Sequence, residues 1–138
     1  SLLELTFSKD IAEGNGAIAG RTLGCDGEPI ENAQVIVRDA DCHVSTDSYV
    51  GYFTNQLPDV FRASTSDDGV YSVLNVPAGD YVVEMYAPLP GSAAEDPQPH
   101  VLAASATLTL EADGATIVDL QLGHTDGLFY PAACSSCP

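Results

Sequence analysis

Apolar and polar residues alternate along several short stretches of this chain. The clearest are Val70–Val76 and Tyr81–Ala87. Alternation with a period of two, together with enrichment in Val, Ile, Thr and Tyr, predicts β-strands. Six stretches are predicted as strands on this basis: Ala17–Leu23, Ala33–Val37, Val70–Val76, Tyr81–Ala87, Val101–Leu110 and Ala115–Leu122. Strands this short and closely spaced predict an all-β fold, an antiparallel Greek-key β-sandwich of about seven strands.

Turn-forming residues separate the predicted strands, most clearly between Thr65 and Tyr86. Gly69 follows two aspartates, which is typical of a turn that needs a positive φ. Pro77 has no N–H to give to a strand ladder, so it is expected to end one strand, and Gly79 permits the change of direction. Tyr81 is then expected to form a tyrosine corner, with a buried ring and a hydroxyl bonded to nearby backbone.

The alternation also predicts which side chains enter the core, because residues two apart in a strand face the same side. In the strand Val70–Val76, the even-numbered residues are expected on one face, and Tyr71, Val73 and Asn75 on the other. The predicted core residues are Ile18, Val35, Val37, Leu74, Val76, Val82, Leu108, Leu110, Val118 and Leu120.

Two segments are less regular. Leu2–Ser8 has Leu3, Leu5 and Phe7 on one face, which indicates a further edge strand. Residues 39–68 are predicted as a long connection, and a connection of this length is usually functional or carries structure of its own. Its aromatic residues are a candidate binding face, the alternative being that they pack the loop onto the sandwich: Tyr49, Tyr52, Phe53 and Phe61.

The chain of 138 residues is expected to be a single domain, with a core over about 17–122, an N-terminal arm over 1–16 and a C-terminal tail over 123–138. Its hydrophobic share of 45% indicates a folded globule, and no apolar run is long enough for membrane insertion. Four basic and twenty acidic residues give a formal net charge of −16, which disfavours binding to nucleic acid. Solubility, adaptation to high salt and cation binding in loops are open explanations of the acidity.

The four cysteines are Cys25, Cys42, Cys134 and Cys137, an even number that fits an extracytoplasmic protein with disulfides. Cys134 and Cys137 have C-x-x-C spacing, but zinc usually needs a second such pair and a redox motif normally opens a helix. Cys25 and Cys42 lie beyond opposite ends of a predicted strand, so we expect at least one tail cysteine to pair with one of them. The alternative is a Cys25–Cys42 bridge with a local Cys134–Cys137 bridge.

Four short motifs follow one another in the order Gly27–Ile30 ("GEPI"), Ala33–Val35 ("AQV"), Thr65–Tyr71 and Val76–Tyr81. In this order they resemble the carboxypeptidase regulatory-like domain, over about Ala17 to Leu122. The resemblance implies a transthyretin-like, or prealbumin-type, sandwich, which is usually a non-catalytic accessory on secreted or surface proteins and is sometimes linked to sugar binding. We therefore expect a non-catalytic extracytoplasmic module, structural or binding a ligand such as a carbohydrate. Its expected partners are neighbouring domains of a larger secreted or surface protein, with a glycan as a further candidate.

The catalytic alternative is an intradiol ring-cleavage dioxygenase, because "CDGEPIENAQVIV" and "SYVGYF" resemble segments of that family. The family binds non-haem iron through two Tyr and two His, the latter as His-x-His. Here His100 is followed two positions on by Leu102, so the ligand set is incomplete. His43 and His124 are scattered in predicted loops, where a histidine is usually solvated. No nucleophile motif occurs either, and we expect neither catalysis nor a cofactor.

A third possibility is an adhesin-type structural domain with an internal isopeptide bond. "LTFSKD" resembles the lysine-bearing first strand of collagen-adhesin B-type domains, and Lys9 is the only lysine. The resemblance implies Glu84 as proton shuttle and Asp119 as acyl partner. A solvated lysine is the alternative.

Calcium is a further candidate ligand. Asp39 and Asp41 ("DAD"), and Asp67 and Asp68 ("SDDG"), supply the hard oxygen donors that calcium prefers. Neither pair fits the twelve-residue loop of a helix-loop-helix site. Turn formation is the other explanation of these aspartates.

Overall fold

The computed structural model describes residues 12–24, 26–88, 92 and 94–122, and all the regular structure in these residues is β-strand. The predicted all-β class is therefore confirmed. No helix long and apolar enough to cross a membrane occurs in this part of the chain. The strands are β1 Gly16–Leu23, β2 Gln34–Asp39, β3 Tyr49–Thr54, β4 Leu57–Asp59, β5 Val70–Val76, β6 Gly79–Pro88, β7 His100–Leu110, β8 Ala115–Ile117 and β9 Leu120–Gln121.

The strands form two sheets. The large sheet has six strands in the order β4-β3-β5-β1-β8, with β9 also pairing with β1, and the small sheet has three strands in the order β2-β6-β7. Most pairings are antiparallel, as predicted, but β8 and β9 both pair with β1 in parallel. The last predicted strand, Ala115–Leu122, is divided into these two short pieces.

The long connection between β2 and β5 contains two strands that the pattern did not predict. β3 and β4 form a hairpin at the edge of the large sheet, with Phe53 opposite Pro58. Its turn residues Asn55 and Gln56 both have a positive φ, of 51° and 65°. This is the geometry of a tight two-residue hairpin turn, and such a turn usually contains a glycine that can be recognised in the sequence. Because no glycine marks the turn, the hairpin was missed.

Most of the predicted core is confirmed. Ile18, Val35, Val37, Leu110 and Leu120 are buried, and Leu108 and Val118 are partly buried against the core. The prediction for Val82 is wrong by one position, because the residues of β6 that enter the core are Tyr81, Val83, Met85 and Ala87. A shift of one residue moves a side chain to the other face of a sheet.

A bulge in β5 overturns the predicted division of its two faces. Gly16 pairs with Val76 while Ile18 pairs with Val73, so β5 has one residue more than β1 in this interval. Asn75 has a φ of 61° there. The extra residue reverses the alternation, so Val73 and Val76 both join the core cluster. Leu74 faces the other way, yet it is 0% exposed.

The turn chemistry read from the sequence is confirmed before β5 and at the start of β6. Gly69 and Gly79 have φ values of 68° and 153°. The hydroxyl of Tyr81 donates a hydrogen bond to the carbonyl oxygen of Pro77 at 2.6 Å, and the residue is buried. This is the tyrosine corner, and it anchors the strand crossing from the large sheet to the small one.

Candidate functional site

The end of β2 is a tight loop built around the carboxylate of Asp39. The backbone N–H groups of Asp41 and His43 both donate to Asp39 Oδ1, at 2.9 and 3.0 Å. The N–H of Asp39 in turn donates to the carbonyl oxygen of His43, and that of Cys42 to the carbonyl oxygen of Asp39. Cys42 adopts a φ of 63° to make this possible. The carboxylate of one aspartate therefore holds the loop in its fold, which is a common role of Asp residues in turns.

The same loop brings three potential metal ligands together. One ligand atom from each of Asp39, Asp41 and His43 lies within 4.8 Å of the others. The sequence had suggested the two aspartates for calcium but had assigned His43 to solvent. Two carboxylates with an imidazole suit a first-row transition metal or zinc better than calcium, which takes oxygen ligands. The alternate spacing Asp39-x-Asp41-x-His43 was the signal that could have joined the histidine to the aspartates.

An open groove of about 530 Å³ adjoins this loop on the small sheet. Val82 and Leu108 give it apolar surface, and Asp80, which also lines it, accepts a 2.6 Å hydrogen bond from the Thr109 hydroxyl. Asp39 belongs to both the groove and the ligand cluster. The lining residues are Asp39, Ala40, Cys42, Asp80, Tyr81, Val82, Thr107, Leu108 and Thr109.

The second aspartate pair serves the fold. Asp68 accepts hydrogen bonds from the N–H groups of Val70 and Gln56 and from the Ser66 hydroxyl. Burial by itself would raise the pKa of Asp68, but these donors and the nearby Arg62 charge together lower that pKa. Asp67 is exposed. Neither residue joins the ligand cluster among the described residues.

The four candidate aromatic residues do not lie on one surface. Tyr52 points into the core, where its hydroxyl accepts a 3.0 Å hydrogen bond from the N–H of Val35. Burial raises the pKa of this hydroxyl. Tyr49 and Phe53 are half-buried on the opposite face of β3. Phe61 is 95% exposed beyond the β3–β4 hairpin.

A buried ion pair lies on the side of the small sheet that faces away from the core. Arg38 Nε and Glu84 Oε1 are 2.6 Å apart, and the Glu84 side chain is only 1% exposed. The Tyr86 hydroxyl also donates to Glu84 Oε1, at 3.2 Å, and Arg38 Nη1 donates to the Cys42 carbonyl oxygen. The hydrogen bond to Glu84 raises the pKa of Arg38. The pattern did not predict this pair, because its partners are far apart in sequence.

The remaining catalytic candidates are hydrogen-bonded to the backbone or lie outside the described residues. The two ring nitrogens of His100 are each 2.9 Å from a backbone carbonyl oxygen, of Gln98 and Asn32, so neither is directed at a metal. Asp119 accepts a hydrogen bond from the N–H of Arg21. Outside the described residues lie Lys9, His124, the segment Leu2–Ser8 and three cysteines, Cys25, Cys134 and Cys137.

No protein-family model matches the chain, and no curated protein does. The resemblance to the carboxypeptidase regulatory-like domain therefore stays a prediction. Among solved structures, the major pilin subunit BcpA of Bacillus cereus is similar at 9% identity and a TM-score of 0.44, over 78% of this chain and 30% of that one. A "putative carbohydrate binding protein" from Pseudomonas aeruginosa is similar at 16% identity and a TM-score of 0.40, over 86% of this chain and 95% of that one. This chain thus spans less than a third of the length of the pilin.

Proposed function

We propose that the chain is a non-catalytic β-sandwich module of a larger extracytoplasmic protein, and that its role is structural. The observation that carries this proposal is that the hydroxyls of the buried tyrosines are hydrogen-bonded to the backbone. The hydroxyls of Tyr71 and Tyr81 donate to the backbone carbonyl oxygens of Val118 and Pro77. The Tyr52 hydroxyl accepts from a backbone N–H of the small sheet. Tyrosine hydroxyls can bind a metal or transfer a proton, but these three form hydrogen bonds that connect separate parts of the chain.

The hydrogen bonds along the sheet edge at β2 support the same role. The N–H of Val35 donates to the Tyr52 hydroxyl, and the N–H of Ala33 donates to Thr65 Oγ1. Further along, the N–H of Ser45 donates to the carbonyl oxygen of Val37. An open strand edge is a template for unwanted pairing with another chain. A module that sits beside other domains benefits from an edge covered in this way.

A combined binding and turnover assay tests this proposal. The purified chain is applied to a glycan array, and the iron-loaded chain is incubated with catechol. We expect no retained glycan and no consumption of catechol, together with a single cooperative unfolding transition. Saturable glycan binding that is lost on Asp80→Asn would assign the groove to a carbohydrate instead. Catechol turnover that is lost on His100→Ala would restore the dioxygenase alternative.

Cation binding at Asp39, Asp41 and His43 is a second candidate function, favoured by the convergence of their ligand atoms. Zinc and calcium are titrated separately by calorimetry. We expect zinc to bind and the His43→Ala variant to lose that binding, with Asp67→Asn as a control at an exposed aspartate outside the cluster. Calcium binding that survives His43→Ala but not Asp41→Asn would favour the all-oxygen site. No heat with either ion would reject this candidate while leaving the structural role intact.

A further inference from the structure

The β3–β4 hairpin and the turn that follows it expose apolar side chains to water. Leu57, Val60 and Phe61 are 69%, 48% and 95% exposed. Among the described residues, the other large apolar side chains that are exposed are Val44 and Ile117, which lie elsewhere in the chain. A single exposed apolar residue is ordinary, whereas a group of them marks an interaction surface. We call Leu57, Val60 and Phe61 the hairpin patch.

Hydrogen bonds hold the backbone of the hairpin patch in place. Asp59 Oδ2 accepts from the Thr54 hydroxyl at 2.9 Å, and Asp59 Oδ1 accepts from the N–H of Phe61 at 3.0 Å. The Arg62 guanidinium group then donates to the carbonyl oxygen of Thr65 at 2.8 Å. Because this backbone is already ordered, binding through it costs less conformational entropy. Aromatic side chains such as that of Phe61 are also enriched in protein interfaces.

The hairpin patch lies at an edge of the large sheet, but this edge resists pairing with another strand. Thr54 and Leu57 flank the two-residue turn and pair with each other, and Phe53 and Pro58 form the next pair. In antiparallel pairing the backbone groups of this second pair point away from each other, so those of Pro58 face the free edge. Pro58 has no N–H to donate there. A partner of the hairpin patch is therefore expected to bind its side chains and not to extend the sheet.

Charge disfavours a second copy of the chain as this partner. The chain has a formal net charge of −16, so two copies repel each other. Residues 55–70 contain three aspartates and one arginine. The N–H of Gln56 donates to Asp68 Oδ2 at 2.9 Å, which places this carboxylate beside the hairpin, and Asp67 is exposed. A partner with basic side chains around an apolar surface complements this arrangement.

The area of the hairpin patch fits a contact between linked domains. Its three side chains expose on the order of 400 Å², so covering them buries about 800 Å² when both partners are counted. Stable complexes between separate proteins usually bury about 1,200 Å² or more. Contacts between domains of one polypeptide begin at about 600 Å². The covalent link keeps such domains near each other, so a smaller contact suffices.

We propose that the hairpin patch docks onto a neighbouring domain of the same polypeptide, at an apolar depression bordered by lysine or arginine side chains. This inference rests on the proposed role of the chain as a module of a larger protein. Phe61 is the anchor that enters the depression, since its ring is almost fully exposed. Asp67 and Asp68 face the basic side chains and set the orientation of the contact.

Hydroxyl-radical footprinting of the isolated chain and of the full-length protein that contains it tests the docking. We expect oxidation of Phe61 to be at least about threefold slower in the full-length protein, because a docked ring is shielded from water. Ile117, which is exposed in β8, is the internal control and should react equally in both. Equal oxidation of Phe61 in both proteins, or equal protection of Ile117, overturns the docking but leaves the structural role intact. A full-length protein without a further domain contradicts the proposed function itself.

Charge reversal in the full-length protein tests the chemistry of the partner. We expect Asp67→Lys to raise the oxidation of Phe61 at least about twofold, since a lysine there repels a basic partner. Glu111→Lys makes the same change at an exposed residue just after β7 and should leave the oxidation of Phe61 unchanged. An equal response to both substitutions, or to neither, overturns the basic partner. If Phe61 becomes protected in the isolated chain as its concentration rises and a dimer forms, the partner is a second copy and the proposal is wrong.

Discussion

The hydroxyl of Tyr71 donates a 2.5 Å hydrogen bond to the carbonyl oxygen of Val118, 47 positions further along the chain. Gly20, in β1, lies next to both groups. A Cβ added to Gly20 would collide with the Val118 carbonyl group and come within 3.2 Å of the Tyr71 ring. This contact joins three separate stretches of the large sheet: β1, β5 and the junction between β8 and β9.

We expect Gly20→Ala to be strongly destabilising, because the collision involves backbone atoms that cannot move aside without disturbing the pairing of β1. The loss in the free energy of unfolding should be about 3 kcal/mol, as for a severe case of overpacking. Gly27→Ala is the matched control, since Gly27 has a φ of 82° but no atom within 4 Å of an added Cβ. Its cost should be about 1 kcal/mol, from backbone conformation alone. Urea denaturation measures both, and equal losses would contradict the role given to Gly20.

Removal of the tyrosine-corner hydroxyl should weaken the fold without changing it. In Tyr81→Phe the ring stays buried, but the carbonyl oxygen of Pro77 loses its 2.6 Å partner. We expect a loss of about 1–2 kcal/mol in the free energy of unfolding. Tyr86→Phe is the comparison, because that hydroxyl is half-buried and shares a carboxylate already paired with Arg38. Thermal denaturation should show a smaller effect for Tyr86→Phe, and the reverse order would argue against the corner as an anchor.

Removing Arg38 and removing Glu84 should lower the free energy of unfolding by different amounts. Arg38→Met leaves the fully buried Glu84 charge without its partner and should cost about 3 kcal/mol. Glu84→Gln should cost less, about 1–2 kcal/mol, because the Arg38 side chain is 26% exposed and can reach water. The double variant Arg38→Met, Glu84→Leu should be more stable than Arg38→Met alone. A double-mutant cycle by urea denaturation checks this order, and a larger loss for Glu84→Gln than for Arg38→Met would refute it.

High pH should unfold the protein through its tyrosines. Burial raises the pKa values of Tyr52, Tyr71 and Tyr81 above the ordinary value of 10.0, most strongly for Tyr71. Above pH 10 the unfolded chain releases protons that the folded chain retains, so stability is complete below that pH and falls as the pH rises further. Absorbance of tyrosinate during an alkaline titration should therefore lag and then rise together with unfolding. Tyr71→Phe should make stability less dependent on pH above 10, and an unchanged dependence would contradict the assignment.

The cysteine pairing can be decided by peptide mapping without reduction. Cys42 is buried at the far end of β2, beside the groove. The N–H of Leu122 donates to the carbonyl oxygen of Leu23, so the C-terminal tail begins close to the end of β1. We expect at least one tail cysteine, Cys134 or Cys137, to be linked to Cys25 or Cys42. A tail peptide recovered with only its own two cysteines joined would be evidence for the alternative pairing.

The sequence by itself determined the fold class, most of the strands and the corner at Tyr81. These features depend on signals within a few residues: alternation along a strand, a proline that cannot donate, and glycines where φ is positive. The burial of Val35 and Val37 followed from the same local rule. The strands β3 and β4 were missed because their turn, Asn55 and Gln56, carries no glycine.

Only the tertiary structure decided the features that depend on contacts between distant residues. The bulge at Asn75 reversed the faces of β5, since pairing with β1 and not local alternation sets the register there. Arg38 and Glu84 were brought together by the pairing of β2 with β6. His43 joined Asp39 and Asp41 because the loop folds back on one carboxylate. The sequence gives the type of each of these side chains, but the packing of the whole chain determines which residues lie next to it.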